Sequence, residues 1–260
     1  MLVGSGWRKP FGLIKSWWIY RRPGRQAGLR ALYRDWLPTG SLAFDIGAHL
    51  GDRTRCFRSL GSRVVALEPQ PALMRLLERA HGQDPDVVLC PLAVGGEPGR
   101  ARLALSHAHP TLATLDQDWP EEVQAANAGF RGVRWDDHIE VEVTTLDALI
   151  EAHGLPDFCK IDVEGFEAAV LAGLSQPLPA LSFEFVAGTL SRSQACVDRL
   201  ESLGHYEYNL IAGEGRRYRF ERWLSGTDLT AWLAGGADQL PSGDIYARLI
   251  DRHTARNASQ

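Results

Sequence analysis

Phe44-Asp45-Ile46-Gly47-Ala48-His49-Leu50-Gly51 continues a short apolar run that begins at Ser41. A second run, Val64-Val65-Ala66-Leu67, closes on Glu68-Pro69, and Glu68 follows Asp45 by 23 positions. A buried strand, a glycine turn into a helix, and a second strand ending in an acid is the layout of a nucleotide-type cofactor site. Glycine accepts backbone angles that other residues resist and lets a ligand approach the main chain. The helix expected over residues 52–60 aims its unpaired N–H groups back at the turn. Glu68 can accept two ribose hydroxyls through its two oxygens. A pyrophosphate turn needs a middle glycine where this chain has His49 and Leu50, which argues against a dinucleotide. Asp45 suits a cofactor that carries a positive amino group and a sulfonium rather than phosphates.

These residues resemble the FkbM-type family of S-adenosylmethionine-dependent methyltransferases. The resemblance rests on residues 44–51, on Leu67-Glu68-Pro69, on Thr145-Leu146-Asp147, and most specifically on Phe158-Cys159-Lys160-Ile161-Asp162-Val163-Glu164-Gly165-Phe166-Glu167. It covers about residues 41–185. It implies a class I methyltransferase fold, S-adenosyl-L-methionine as cofactor, and methylation of a hydroxyl on a sugar, glycan, polyketide or similar small metabolite. It leaves the acceptor, the catalytic base and the oligomeric state open. An NAD-dependent oxidoreductase and a non-catalytic Rossmann-like binding module are the alternatives. The absent third glycine disfavours the first, and the presence of every cofactor acid disfavours the second.

The rest of the pattern agrees with an α/β fold: a doubly wound, Rossmann-like, mostly parallel sheet of seven strands, with a C-terminal antiparallel pair. Continuous apolar strands alternating with helices mean a parallel sheet covered on both faces. Strands are expected at 41–46, 63–67, 87–90, 158–161 and 181–185, with helices at 71–80, 165–174 and 193–203. Residues 206–211 and 218–222 are expected to form the final antiparallel pair. Alternation marks further strands at 102–106 and 139–144. Between these two, residues 106–139 mix proline, glycine, tryptophan and charge, as in a lid or a substrate-recognition insertion. The domain is placed at 41–252, after a helical leader at 1–40 and before a tail at 253–260.

A chain of 260 residues with net charge −4 fits one soluble domain with a single core. Cys56, Cys90, Cys159 and Cys196 are scattered, with no C-x-x-C pair, so they read as free thiols of a reducing, cytoplasmic compartment. Charge is uneven. Residues 1–34 carry Arg8, Lys9, Lys15, Arg21, Arg22, Arg25, Arg30 and Arg34 and no acid, among Trp7, Trp17, Trp18 and Tyr20. Such a leader could touch an anionic membrane surface, or pack its aromatic face on the domain. Nucleic acid is not the favoured partner. No apolar run approaches the ~20 residues that span a bilayer.

Ligands of an open α/β sheet sit beyond the carboxyl ends of its strands. That rim receives Asp45, Gly47, Ala48, His49 and Gly51 from the first strand and its turn, and Glu68 and Pro69 from the second. Ala93 follows the third strand, Asp162 and Glu164 the fourth, and Glu184 comes from the fifth. All but Glu164 and Glu184 are candidates for cofactor binding. Asp162 and Glu164 could hold acceptor hydroxyls or take a proton, or could only cap the following helix. A divalent metal is not favoured, but Asp162 and Glu184 would be its ligands. His138 is a weaker candidate for the base. His107 and His109, two apart, would share a face if they lay on a strand. Lys160, inside the fourth strand, is expected to pair with a carboxylate and to be structural.

Overall fold

The computed structural model describes residues 24–213 and 215–250. The basic aromatic stretch 1–23 of the leader and the tail 253–260 lie outside the described residues. A first helix, α1 (Arg25–Tyr33), precedes β1 (Leu42–Ile46), α2 (Asp52–Ser59), β2 (Arg63–Leu67), α3 (Pro71–His81) and β3 (Val87–Cys90). Three strands of a second sheet follow, β4 (Ala93–Val94), β5 (Gly99–Leu105) and β6 (Asp137–Thr144), with α4 (Trp119–Ala126) between the last two. Then come α5 (Leu146–His153), β7 (Phe158–Ile161), α6 (Glu167–Ala172), β8 (Ala180–Val186), α7 (Leu190–Leu203), β9 (Tyr206–Ala212), β10 (Leu224–Ser225), α8 (Gly226–Ala234) and β11 (Ser242–Leu249).

The main sheet has eight strands in the order β10-β9-β11-β8-β7-β1-β2-β3. The five strands from β3 to β8 are parallel, and β11 runs antiparallel between β8 and β9. The small sheet, β4-β6-β5, carries the chain that was expected as two extra strands.

Two sequence expectations are corrected. The sheet has eight strands rather than seven, and residues 218–222 are not a strand. There the Asn209 side chain binds Phe220 from both sides, accepting its N–H at 3.2 Å and donating to its C=O at 2.9 Å, in place of a second run of ladder bonds. β9 pairs antiparallel with β11 along its whole length and, on its other edge, with the two-residue β10. The opening Ser242-Gly243-Asp244 of β11 reads as a turn. Gly243 belongs in the strand because a Cβ there would lie 2.3 Å from the Ile211 carbonyl oxygen and 2.7 Å from the Phe185 ring.

Side-chain alternation sorts the sheet into two faces. Phe44, Ile46, Cys159, Ile161, Leu181, Phe183 and Phe185 pack into the larger apolar cluster, against α6, α7 and α8. Ala43, Phe158, Ala180 and Tyr246 pack on the other side, with Leu29 and Tyr33 of α1 and Phe57 of α2. Tyr33 meets Phe57 and Phe158 edge to face at 4.9 and 5.4 Å. Alternation therefore puts Asp45, Lys160, Glu184 and Asp244 on this second face, near the carboxyl ends of the parallel strands.

Candidate active site

The glycine turn is shaped by a close approach of two strand ends. Gly47 has φ 77°, and a Cβ on it would stand 1.9 Å from the Asp162 carbonyl oxygen. Only glycine satisfies both conditions. His49 also sits in the left-handed region, at φ 51°, as does Glu164 at φ 53° in the loop after β7. Non-glycine residues rarely adopt this backbone, and such residues gather at functional sites.

Glu68 holds the turn from the next strand. One oxygen accepts the His49 N–H at 3.0 Å and the other accepts the Gln70 N–H at 2.9 Å. The residue is 1% exposed, and burial pushes its carboxyl up from the usual range, against the pull of His49 and of these two N–H groups. Each oxygen keeps a lone pair for a ligand hydroxyl. Asp45 is buried too and accepts the Thr54 hydroxyl at 2.5 Å. Burial raises its carboxyl, and Thr54 partly offsets this. Thr54, on the first turns of α2, has no signature in the sequence.

A cleft runs past these groups. Its apolar lining includes Ile46, Pro69, Leu92, Ala93, Val94 and Phe166, and its polar lining includes His49, Glu68, Gln70 and Asp162. A more polar cleft adjoins it, sharing Gly47, His49 and Asp162 and adding Asp45, Ala48, Asp52 and Arg53. The candidates Asp45, Gly47, Ala48, His49, Glu68, Pro69, Ala93 and Asp162 thus line one connected groove. Gly51 lies just behind it, as the N-cap of α2 at φ 77°.

Asp162, which lines both clefts, belongs to a group of acids. Asp162, Glu164 and Glu184 each bring an oxygen within 4.8 Å of the others. Lys160, 1% exposed, reaches Asp162 and Asp244 at 3.1 Å each. Burial alone would push the lysine ammonium down, but the two aspartates outweigh it and hold it up. Asp162 responds in kind. Burial raises its carboxyl, yet Lys160, His49 and Arg53 together hold it below the usual value. Glu164 and Glu184 are pushed well up, by burial first and by the neighbouring acids second. Asp244 comes from β11, directly opposite Glu184 in the ladder, so its part in the site was invisible without that strand.

Glu167 supports the loop that carries Glu164. Its Oε1 accepts the N–H groups of Val163 and Gly165 at 3.2 and 3.3 Å. Burial pushes its carboxyl up to about 7, from an ordinary value of 4.5, against the pull of its backbone hydrogen bonds. The folded chain therefore keeps this proton at pH values where the unfolded chain has lost it. Stability should fall as pH rises from about 4.5 to about 7, by about 3 kcal/mol from this group. Urea unfolding in EDTA across that range should show a smaller fall for Glu167→Gln, which keeps the acceptor oxygen. Equal slopes in both proteins would refute the assignment.

Residues 106–139 are fixed against this site. A Cβ on Gly165 would lie 2.2 Å from the ring of Trp119, which is fully buried, and one on Gly188 would lie 2.1 Å from Ala126 Cβ. Arg192 on α7 pairs with Asp116 and with Glu122, the latter at 2.9 Å. The histidines stand apart. His138 is exposed and hydrogen-bonds Arg102 at 2.8 Å in the small sheet, and it lines neither cleft. His107 and His109 lie past the end of β5, off any strand, so they share no strand face. His107 faces Asp136 at 2.9 Å and Asp137 at 3.3 Å.

No curated protein matches this chain. Among solved structures, it resembles precorrin-6Y C5,15-methyltransferase from Geobacter metallireducens, at 15% identity and TM-score 0.42, over 86% of this chain and 87% of that one. A TehB-like SAM-dependent methyltransferase from Corynebacterium glutamicum is similar at 12% identity and TM-score 0.46, over 90% and 97%. The methyltransferase FkbM domain matches residues 45–194, from Asp45 of the glycine turn through the whole acid cluster. The chain belongs to the FkbM family of methyltransferases.

Proposed function

We propose that this protein transfers a methyl group from S-adenosyl-L-methionine to a hydroxyl of a small metabolite, sugar or glycan. The observation that carries the reading is one groove lined by a Glu68-braced glycine turn and by Asp162, itself a member of a part-buried acid cluster on the neighbouring strand ends. The residues fit the cofactor by their chemistry. The apolar walls suit a flat base, Glu68 suits ribose hydroxyls, and Asp45 and Asp162 suit a cationic amino-acid end. When bound, the cofactor supplies an activated methyl on a positively charged sulfur, with a thioether as leaving group.

The protein's part is then alignment and removal of one proton. An alcohol is a weak nucleophile at neutral pH. Transfer to that oxygen would require the protein to take up the hydroxyl proton. Glu164 and Glu184 bring carboxylate oxygens within 4.8 Å of Asp162, which lines the groove. Of these acids, one that is ionised can take the proton, and burial and the neighbouring acids strengthen its hold on it. Asp162, held charged by Lys160, stays available to orient the acceptor or the cofactor.

Glu68→Gln keeps the shape of the side chain and removes its charge. It should weaken S-adenosylmethionine binding by about tenfold or more, the usual effect of losing charge-assisted hydrogen bonds. Isothermal titration of both proteins measures this. No binding by the wild type would overturn the methyltransferase reading, and equal binding by the variant would overturn the role given to Glu68.

A further inference from the structure

The acid cluster is short of partners. Glu164 is 7% exposed and its carboxylate points at Asp162 and Glu184. Among the described residues no N–H or O–H donates to it. Glu184 Oε2 is buried and also has no hydrogen-bond partner. Glu167, on the same loop, shows the contrast, because two backbone N–H groups satisfy it. The nearby cation, Lys160, is divided between Asp162 and Asp244. Buried carboxylates without donors are costly unless something compensates them.

We propose that Asp162, Glu164 and Glu184 form a binding site for one divalent, oxygen-preferring cation of the magnesium, manganese or calcium class. The ligand chemistry is right, since hard cations take carboxylate oxygens. The spacing is right as well. Two oxygens on opposite sides of an ion are separated by twice the bond length, about 4.1 Å for magnesium and about 4.6–5.2 Å for calcium. Oxygens within 4.8 Å of one another lie close to the spread that three calcium ligands span. A closure of up to about 1 Å would admit the smaller ions. Three carboxylates supply three ligands of a six-coordinate ion and leave open positions for water or for acceptor oxygens. That last role rests on the methyltransferase reading, whereas the cation site itself does not.

The test uses the full-length protein, stripped with EDTA and dialysed, then titrated with manganese chloride by calorimetry and by the loss of the free-ion paramagnetic resonance signal. Calcium and magnesium follow. One ion per chain is expected, with Glu164→Gln and Glu184→Gln each weakening binding at least about tenfold. The melting temperature of the wild type should rise with added cation, and that of Glu184→Gln should not. No binding by the wild type at about 10 mM cation, above the range of even weak oxygen-ligand sites, would overturn the proposal and leave shared protons to stabilise the cluster. Equal binding by the wild type and both variants would also overturn it. S-adenosylmethionine titration of the wild type runs in parallel. Cation binding without cofactor binding would uphold this site and sink the methyltransferase reading, and cofactor binding without cation binding would do the reverse.

Discussion

Gly47→Ala is expected to destabilise the protein by roughly 3–5 kcal/mol, a large share of the ~5–15 kcal/mol that holds a domain together. What remains folded should bind S-adenosylmethionine at least about a hundredfold more weakly. Two costs combine. An alanine held at φ 77° loses ~1–2 kcal/mol to left-handed strain. Its Cβ would also stand 1.9 Å from the Asp162 carbonyl oxygen, and no side-chain rotation relieves a clash with main chain. Relief requires the ends of β1 and β7 to part, which breaks the Asp162 N–H bond to the Ile46 carbonyl at 3.0 Å. That parting moves Asp162 and the turn, the two walls of the groove. Gly51→Ala is the control. Gly51 has the same φ of 77°, but its added Cβ meets Leu77 Cδ2 at 2.7 Å, the movable end of a side chain. It should cost only the strain term. Melting curves and cofactor titrations of the two variants check this, and a Gly47→Ala protein as stable as Gly51→Ala would disprove the argument.

The groove walls were the part of this molecule most legible in the sequence, for a physical reason. Strands buried on both faces are written as unbroken apolar runs, so β1, β2, β7 and β8 fall within one residue of their expected bounds, and the apolar edge strand β3, only part-buried, matches its bounds as well. Glycine at a forced positive φ and an acid at a strand end are local signals, and Gly47 and Glu68 carry them. The missing parts depend on contacts across long sequence distances. β11 begins with Ser242-Gly243, which is read locally as a turn and is a strand only because Ile211 and Phe185 press against Gly243. Asp244 was hidden with it. The packing of Trp119 on Gly165 leaves no periodic trace in either segment. His107 and His109 show the opposite failure. Their spacing is meaningful only on a strand, and the strand stops at Leu105, where the chain turns and His109 N–H bonds the Ser106 hydroxyl at 3.3 Å.

Lys160→Met should cost about 3–5 kcal/mol at pH 7, the range found when one partner of a buried ion pair is removed. Methionine fills most of the space, so the loss is electrostatic rather than a cavity. Without the ammonium, Asp162 and Asp244 keep the weaker attraction of Arg53, 3.9 Å from Asp244, with Glu184 directly across the ladder from Asp244. The pH dependence identifies the cause. In the wild type the Asp162 carboxyl is held below its ordinary value of 3.8, so it adds stability above that pH and loses it on acidification. In the variant the main opposing influence, Lys160, is gone and burial pushes the same carboxyl up. The variant then gains stability as it takes up a proton on acidification. The gap between the two proteins should therefore be widest near neutrality and narrow steadily as pH falls toward 4. Adding Asp162→Asn to Lys160→Met removes the stranded charge and should recover part of the loss at pH 7. Urea unfolding at pH 7, 5.5 and 4 gives all three quantities. A gap that stays constant with pH, with no recovery in the double variant, would mean that Lys160 acts through packing alone.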